Sequence, residues 1–323
     1  MITVRKTIRL AALALTLAAG LAQAQGYPNR PVKIVVPFAS GGPADNYARF
    51  MAQRLSEELK QSFVIDNKPG AGSIIGTDLV AKAPADGYTL LMMSNTHTVN
   101  ESLIPTKPFA LMKDFVGIAP VNYSALLLVV HPSVPARTVG ELVALAKARP
   151  GKINYASSGN GTPYHMAGEL FKYMAGIDMT HIPYKGSSGA RTDIVGGQVD
   201  VMFDAETTMA VMAREGKVRA LASTGLTRSA NLPEMPTVSE SGVPKFEATI
   251  WLGLMAPKGT PTEIVNRLNA EVRKIVNHPE VKATWARQGA VPMSMTVPEF
   301  EQYLNADIAK WANIVKVSGA KPD

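Results

Sequence analysis

The chain has 323 residues, a formal net charge of +7 and no cysteine. The lack of cysteine excludes disulfides, thiolate catalysis and a lipid-modified N-terminal cysteine. Lysine and arginine are scattered rather than clustered, so we expect no nucleic-acid partner, because such binding needs a basic stripe with interleaved aromatic residues. A chain of about 300 residues exceeds the usual size of one core and predicts two lobes.

Residues 1–24 have the pattern of a secretory signal peptide. Arg5, Lys6 and Arg9 precede an apolar run over residues 10–21, and Ala22-Gln23-Ala24 follows as an A-x-A cleavage site. The run is too short for a stable membrane anchor. We therefore expect cleavage after Ala24 and an exported protein, which in a bacterium means the periplasm.

A glycine-rich turn, residues 37–45, follows the first apolar segment, and we call it loop 1. Residues 32–36 are apolar and β-branched, which predicts a buried strand, and apolar residues recur at helical spacing from Ala44 onward. Pro43 suits the first helical position. A strand–Gly-Gly–helix junction directs free backbone N–H groups beyond the sheet, which favours an anion. A tight turn that needs glycine only for its geometry explains the same residues equally well.

Strands and helices alternate after loop 1. We predict strands over residues 63–65 and 88–93 with a helix over 73–82 between them. This β-α-β-α-β order predicts parallel pairing. The third strand runs into Ser94 and further polar residues, at the sheet edge where ligands bind in open α/β folds.

A second α/β unit begins with a strand over residues 125–130. We predict lobe boundaries at 25–124 and 245–323 for lobe one and at 125–244 for lobe two. The two C-terminal helices, expected to begin with capping boxes at Thr260/Glu263 and Thr296/Glu299, have no strands of their own. We expect them to return to lobe one.

The second unit contains another glycine-rich turn, residues 157–163, which we call loop 2. Thr162 is a good N-cap and Pro163 a good first helical residue. Loops 1 and 2 facing each other across a cleft could hold a carboxylate. Neither loop contains arginine or lysine, so backbone N–H groups and hydroxyls would carry the negative charge.

Motifs of known enzymes are poorly matched. Tyr164 occupies the place of the third glycine in a G-x-G-x-x-G pattern, which disfavours a dinucleotide site. No serine lies in a G-x-S-x-G elbow, and there is no Walker or H-E-x-x-H sequence. The five histidines lack metal-ligand spacing. We predict no catalytic residue, no metal and no cofactor.

Several candidate ligand contacts have a structural alternative. Asp45 can cap its own helix, and His165 can act as a structural donor in the first turn of its helix. Asp204 follows an apolar strand and would project toward the cleft or lie in a surface turn. Phe38 could form the pocket floor or pack under the turn, and Thr162 can be fully occupied as a cap.

Taken together, these segments resemble the Bug family, also called TctC-type receptors. The resemblance rests on motifs that occur in one order along nearly the whole chain after the first segment. They include Tyr27-Pro28-x-x-Pro31, Asn67-Lys68-Pro69-Gly70-Ala71-Gly72, Pro84-Ala85-Asp86-Gly87-Tyr88, Pro183-Tyr184-Lys185-Gly186, Gly196-Gly197-Gln198-Val199-Asp200 and Trp251-x-Gly253-Leu254.

The resemblance implies an extracytoplasmic solute-binding receptor of a tripartite tricarboxylate transporter. Its fold would be α/β, a two-lobed periplasmic-binding-protein-like fold (type II), each lobe a mostly parallel sheet flanked by helices. The implied partners are a small carboxylate ligand and the membrane permease subunits, and we expect a monomer. A receptor that presents its ligand to a membrane kinase and a secreted α/β hydrolase are the alternatives.

The resemblance also implies which residues bind the carboxylate, directly or through water. They are Phe38, Ser40, Gly41, Gly42 and Asp45 in loop 1, and Ser157, Ser158, Asn160, Gly161 and Thr162 in loop 2, with Asp204 nearby. Ser94 and His165 are further candidates from their positions in the sequence. Relatives often have Pro-Gly-Gly where Ser40-Gly41-Gly42 stands here, so Ser40 could add a hydroxyl donor. The segment from Ser94 to Asn100 is expected to help set specificity.

Overall fold

A computed structural model describes residues 26–322. The predicted signal peptide lies outside the described residues. The strands are β1 (Val32–Val36), β2 (Phe63–Asn67), β3 (Thr89–Ser94), β4 (Phe115–Val130), β5 (Asn154–Ser157), β6 (Thr180–Pro183), β7 (Val201–Ala205), β8 (Arg219–Ser223), β9 (Thr249–Pro257) and β10 (Ala290–Pro292).

The helices follow the strands closely along the chain. They are α1 (Pro43–Leu59), α2 (Ile74–Ala81), α3 (Asn95–Leu103), α4 (Leu111–Asp114), α5 (Val139–Ala148), α6 (Pro163–Ala175), α7 (Ser187–Val195), α8 (Glu206–Arg214), α9 (Thr262–Asn277), α10 (Pro279–Arg287) and α11 (Val297–Ser318). None of the helices within residues 26–322 is both long and apolar enough to cross a membrane.

The strands are hydrogen-bonded in the order β2-β1-β3-β9-β4-β7-β5-β6, and β8 and β10 also pair with β4. β1 pairs in parallel with β2 and β3, as predicted, and β5 pairs in parallel with β6 and β7. We call the part around β1–β3 lobe one and the part around β5–β8 lobe two. Antiparallel β9 and β4 lie between the two parallel sets.

β4 belongs to both lobes. A strand was expected over residues 125–130, but it begins at Phe115 and pairs first with β9 and then with β7 and β8. The pairing register with β9 shifts around Ala119 and Pro120. Proline normally marks a strand edge or an irregularity, and here it stands at the register shift of a continuous strand. The long strand thereby links the two lobes.

The core lies on both faces of each parallel set. Along β4, Leu128 and Val130 pack into one buried cluster and Leu127 and Val129 into another, because successive side chains of a strand point to opposite faces. In lobe one, Val35 likewise packs on the opposite face from its strand neighbours. Helices cover both faces, which leaves the carboxyl ends of the parallel strands as the place where loops can meet.

The last helix contacts both lobes rather than lobe one alone. Phe300 and Leu304 of α11 pack in a lobe-one cluster, whereas Trp311 and Ile314 pack in a cluster with lobe-two residues. The capping box at Thr296 and Glu299 is confirmed. The expected capping box at Thr260 is wrong: α9 begins after Pro261, and the Thr260 hydroxyl donates to the Pro257 carbonyl at 2.8 Å.

Candidate ligand-binding site

A small cavity lies between the lobes at the carboxyl ends of the parallel strands, and we call it the deep cavity. Its open volume is about 30 Å³, roughly the space of two water molecules. No charged residue lines it within the described chain. The lining residues are Phe38, Ala39, Gly42, Pro43, Ala44, Ser94, Thr96 and Ile250 on one side, and Ser158, Pro163, Tyr164, Gly186 and Ser187 on the other.

Three helices direct backbone N–H groups toward the deep cavity. Ala44, Tyr164 and Ser187 lie in the first turns of α1, α6 and α7 and line the cavity. Their N–H groups have no hydrogen-bond partner within residues 26–322. Such groups carry partial positive charge at a helix N-terminus. The cavity therefore has the electrostatic character of an anion site without containing a cation.

Loop 1 is held in place by the Asp45 carboxylate. This buried group accepts hydrogen bonds from the Gly41 N–H at 2.9 Å, from Arg49 Nε at 3.0 Å and from Asn67 Nδ2 at 3.0 Å. Burial alone would raise the pKa of Asp45, but these hydrogen bonds and the Arg49 charge lower it on balance. Asp45 does not line the deep cavity, and its carboxylate is committed to the loop.

Loop 2 is held by its own hydroxyl and imidazole groups. Thr162 Oγ1 donates to the Gly159 carbonyl at 2.6 Å and caps α6 by accepting from the His165 N–H. The Gly161 N–H donates to His165 Nδ1 at 3.1 Å, and the His165 ring stacks on His181 at 4.1 Å. His165 thus shapes the loop from behind and does not line the deep cavity.

Ser157 and His181 form a serine–histidine pair that bears on the enzyme alternative. Ser157 Oγ lies 2.6 Å from His181 Nε2, within the reach of a nucleophile and its base. The same oxygen also donates to the Gly159 carbonyl and accepts from the Gly159 N–H. Ser157 is fully buried and lines neither interlobe cavity. The pair therefore stabilises the turn and does not present a nucleophile to the cleft.

Asp204 lies behind the cavity wall rather than in the cleft. It is fully buried and forms a two-pronged ion pair with Arg191, whose Nε and Nη2 lie 2.5 and 3.1 Å from the two carboxylate oxygens. Burial, and then the nearby Asp204 charge, raise the pKa of Tyr164 well above its usual value, so the phenol stays protonated. The Tyr164 hydroxyl is buried and has no hydrogen-bond partner in the described chain.

The β3–α3 junction adds a further helix N-terminus. Ser94 caps α3 and lines the deep cavity together with Thr96. His97 completes the capping box, and burial lowers its pKa to about 4, against an opposing backbone hydrogen bond at Ser94. His97 is therefore neutral at neutral pH. Its ring lies edge-to-face with Phe38, with 6.2 Å between the ring centroids.

The lobes touch across the cleft around the cavity. Ser188 Oγ of α7 donates to the Ser40 carbonyl of loop 1 at 3.2 Å. Gly186 has a φ of +152° and approaches Ala39 so closely that a Cβ at residue 186 would lie 2.7 Å from the Ala39 Cβ. The cleft is thus in a closed arrangement, in which only glycine fits at position 186.

A second and larger cavity adjoins the first, and we call it the outer cavity. Its volume is about 360 Å³, and it shares Phe38 and Ser158 with the deep cavity. Gly72 of lobe one and Asn160 of lobe two both line it and lie close together, since a Cβ at residue 72 would stand 3.0 Å from the Asn160 carbonyl oxygen. Thr162 and Lys185 also line it.

The structure brings part of the predicted site together. Phe38, Gly42, Ser94 and Ser158 line the deep cavity, and Asn160 and Thr162 line the outer one. Ser40 and Gly41 are exposed at the edge of the cleft. The remaining predicted residues support the loops from within: Asp45, Ser157, Gly161, His165 and Asp204.

Of the third loop from which the cavity is built, the sequence indicates Tyr184-Lys185-Gly186 only as a weaker candidate at another strand end, and Ser187 was missed. Gly186 and Ser187 follow β6 and open α7, so the junction repeats the construction of loops 1 and 2. A strand followed by Gly-Ser-Ser-Gly was a usable signal for it. Tyr164 and Ile250 were also missed, because apolar and aromatic residues in a helix or strand look like core in the sequence.

The fold and the cleft are those of a two-lobed solute-binding protein. Comparison with known proteins agrees: residues 47–320 match the family model described as "Tripartite tricarboxylate transporter family receptor". The protein BugT of Bordetella pertussis is 39% identical over 302 residues, covering 92% of each chain.

Two solved structures are similar along almost their whole length. The structure "R. palustris Rpa4515 with adipate" is 36% identical, with a TM-score of 0.89, and the match covers 92% of this chain and 100% of the other. MatC from Rhodopseudomonas palustris with bound malate is 31% identical, with a TM-score of 0.85, and the match covers 90% and 100% of the two chains. The present chain belongs to the TctC family of tripartite tricarboxylate transporter receptors, as its resemblance to Bug proteins implied.

Proposed function

We propose that this receptor captures a small carboxylate in the deep cavity and delivers it to the membrane permease of a tripartite tricarboxylate transporter. The observation that carries the proposal is the convergence of the free N–H groups of Ala44, Tyr164 and Ser187 on a cavity with no charged lining. The adipate and malate bound to two similar receptors support a carboxylate as the ligand.

The number of donors is sufficient for useful affinity. A hydrogen bond to a charged group contributes about 1.5–3 kcal/mol, so three N–H groups supply roughly 4.5–9 kcal/mol, a range that includes the ~8 kcal/mol that micromolar binding requires. Closure of the two lobes brings these donors together, since they belong to different elements on both sides of the cleft. Binding and closure are therefore coupled, and an arginine is not needed.

The remaining parts of the proposal concern the whole receptor. We propose cleavage after Ala24, a periplasmic location, action as a monomer and no catalytic activity. We also propose lobe boundaries at 25–124 and 245–323 for lobe one and 125–244 for lobe two. Receptors of this family are periplasmic, and the position of β4 across both lobes supports the boundary near residue 125.

A thermal-shift screen with mono-, di- and tricarboxylates tests the proposal. A ligand that binds the folded state raises the unfolding midpoint in proportion to the logarithm of its concentration. We expect at least one carboxylate to do so, while its neutral amide counterpart at the same concentration does not. A screen in which no carboxylate shifts the midpoint, while one of them is chemically converted, would overturn the proposal.

A further inference from the structure

A groove lies on the far side of β9 from the deep cavity, and we call it the rear groove. One wall is the loop over residues 225–231 of lobe two, and the other is the turn over residues 286–292, which packs with lobe one. Thr249 of β9 lines the rear groove, whereas the next residue, Ile250, lines the deep cavity. Successive side chains of a strand point to opposite faces, so the two spaces lie on opposite sides of this strand.

The rear groove is large enough for a ligand of its own. Its volume is about 400 Å³, and small-molecule sites commonly measure roughly 300–1,000 Å³. Both lobes contribute to its walls, and Tyr123 and Ala125 of β4 also line it, at the point where this strand passes from one lobe to the other.

Glu206 places a carboxylate in the wall of the rear groove. It is the first residue of α8, is fully buried and lines the groove. One carboxylate oxygen accepts a hydrogen bond from Ser229 Oγ at 2.5 Å, whereas Oε2 is buried without a hydrogen-bond partner in the described chain. Gly289 covers the group so closely that a Cβ at residue 289 would collide with it. Because an unpaired buried acceptor is destabilising, a donor that reaches Oε2 would stabilise this group.

Glu206 also has no ion-pair partner within residues 26–322. Burial raises the pKa of Glu206, although hydrogen bonds from Ser229 and Asn231 and the charge of Arg214 oppose the shift. A carboxylate that is removed from water in this way is stabilised most by a cation that also donates a hydrogen bond.

The other charged residues of the lining leave the groove with negative character. Arg228 lines it, but its Nε lies 2.9 Å from the carboxylate of Glu240, which is not part of the lining. Glu247 adds a second carboxylate to the lining and lies 3.7 Å from Lys310 Nζ in an exposed pair. Exposed pairs of this kind contribute little, so the groove offers acidic groups and no uncommitted cation among the described residues.

Exposed apolar side chains form the rim of the rear groove. Tyr123, Leu226 and Val291 line it and are 40%, 55% and 45% exposed. Tyr123 and Val291 stand opposite each other in the pairing of β4 with β10. An apolar rim above a buried carboxylate suits a molecule with an aliphatic stem and a positively charged head.

We propose that the rear groove is a second binding site, and that its ligand is a small organic cation. An ammonium or guanidinium head donates to Glu206 Oε2, and the aliphatic stem packs against Leu226 and Val291. Access to Oε2 requires a shift of the loop over residues 225–231, which holds Ser229. The site is separate from the deep cavity, so it does not depend on the proposed carboxylate function.

Calorimetric titration in a buffer free of amines tests this site. The probes are butylamine and butylguanidine, with butanol as their neutral counterpart and calcium as an inorganic cation. The first variant is Glu206→Gln, which removes the charge and keeps the shape, and Glu263→Gln is its matched control. Glu263 is an exposed glutamate in the first turn of α9, so the control removes the same charge from the same kind of helix position.

A further variant, Leu226→Lys, leaves Glu206 in place. Leu226 is exposed, so the substitution should not disturb the fold, and it adds a competing ammonium group at the rim. We expect saturable binding of at least one organic cation and none of butanol. Glu206→Gln should weaken that binding about tenfold or more and Leu226→Lys about fivefold. Glu263→Gln should change it less than twofold.

The inference is overturned if neither organic cation binds, if butanol binds equally well, or if calcium binds more tightly than both organic cations. It is also overturned if Glu206→Gln, shown to be folded by circular dichroism, keeps full affinity. If Glu206→Gln does not fold, unchanged affinity in Leu226→Lys overturns it instead. Carboxylate binding is titrated on the same samples, and its absence would count against the proposed function and not against the rear groove.

Discussion

Loops 1 and 2 place similar helix N-termini on either side of one cavity, but different groups hold them. Loop 1 depends on a buried ionised carboxylate, Asp45, with Arg49 and Asn67 as partners. Loop 2 depends instead on the hydroxyl of Thr162 and the imidazole of His165. In both loops the polar side chains mostly hold the backbone, and the backbone N–H groups are left for the ligand.

This difference has a consequence for what each loop can tolerate. The Asp45 network is a single charged centre, so its loss affects the whole of loop 1 at once. Loop 2 distributes the same task over several hydrogen bonds, each worth about 0.5–1.5 kcal/mol. Loop 1 is therefore expected to be the more sensitive of the two to substitution.

The largest effect is expected from filling the deep cavity. Gly42 has an ordinary φ of −81°, and a Cβ there would come no nearer than 3.6 Å to the Ala39 carbonyl, so the fold accepts a side chain. Gly42→Val should lower carboxylate affinity at least about 100-fold, because three new carbons occupy a space of roughly two waters. Circular dichroism and the unfolding midpoint should change little.

Gly140→Val is the matched control for this substitution. Gly140 lies in the first turn of α5, is exposed and has no close neighbour, so the change adds the same volume away from the cleft. Unchanged affinity in Gly42→Val would mean that the ligand does not lie against the N-terminus of α1.

A smaller effect is expected from removing one buried hydroxyl. Tyr164→Phe deletes a buried oxygen without a hydrogen-bond partner in the described chain, from a residue that lines the deep cavity. Affinity should fall about tenfold, since a hydrogen bond to a charged group is worth ~1.5 kcal/mol or more, while the ligand-free protein should be equally or slightly more stable. Calorimetry and thermal unfolding measure the two quantities separately.

Tyr47→Phe provides the comparison for Tyr164→Phe. The Tyr47 hydroxyl is also buried without a partner, but Tyr47 does not line the deep cavity. We expect unchanged affinity in this variant. An equal loss in both variants would show that the effect does not come from a contact between Tyr164 and the ligand.

The charged support of loop 1 makes a prediction about pH. Because the pKa of Asp45 is below its ordinary value of 3.8 in the folded state, its stabilisation is present above that value and is lost as the pH falls through the lowered pKa. Asp45→Asn should lower the free energy of unfolding by about 1–2 kcal/mol at pH 7 and affinity about fivefold. Denaturant unfolding should show that the difference in unfolding free energy between the variant and the unmodified protein is constant down to about pH 5 and narrows below pH 4.

One result would contradict that account of loop 1. Equal stability of Asp45→Asn and the unmodified protein at neutral pH would mean that the carboxylate does not support the loop. Thr162→Val gives the comparison in loop 2, where a lost N-cap costs about 1 kcal/mol but introduces no acid-dependent gap.

The smallest effect is expected at Ser40. Its side chain is exposed, and only its carbonyl makes a contact across the cleft, with Ser188. Ser40→Gly removes the hydroxyl and should change affinity less than twofold. A tenfold or greater loss of affinity in a titration would show that the Ser40 hydroxyl reaches the ligand, which is the donor role that the sequence suggested.

Much of the fold was predictable because it follows from local patterns. Pro43 and Pro163 mark the first turns of α1 and α6, as predicted, and the β-α-β-α-β order gives parallel pairing. The extent of β4 was not predictable, since Pro120 in a paired strand runs against local preference and is stabilised by tertiary contacts.

The candidate site was predictable only where glycine and proline mark a turn. Sequence patterns indicate loops 1 and 2, but they cannot tell a carboxylate that faces the ligand from one that faces its own loop. Asp45 and Asp204 were both candidates, but their carboxylates bind other residues of the protein. Asn67 donates to Asp45, and Arg191 donates to Asp204. These partners are so distant in sequence that only the fold reveals the contacts.

The central claim is that uncharged backbone donors from both lobes hold the carboxylate. A crystal structure of the protein with the tightest-binding acid tests it most directly. We predict carboxylate oxygens within hydrogen-bonding distance, about 3.2 Å, of the N–H groups of Ala44, Tyr164 and Ser187 in a closed cleft. A carboxylate bound instead to an arginine or lysine, or lying outside the deep cavity, would contradict the account.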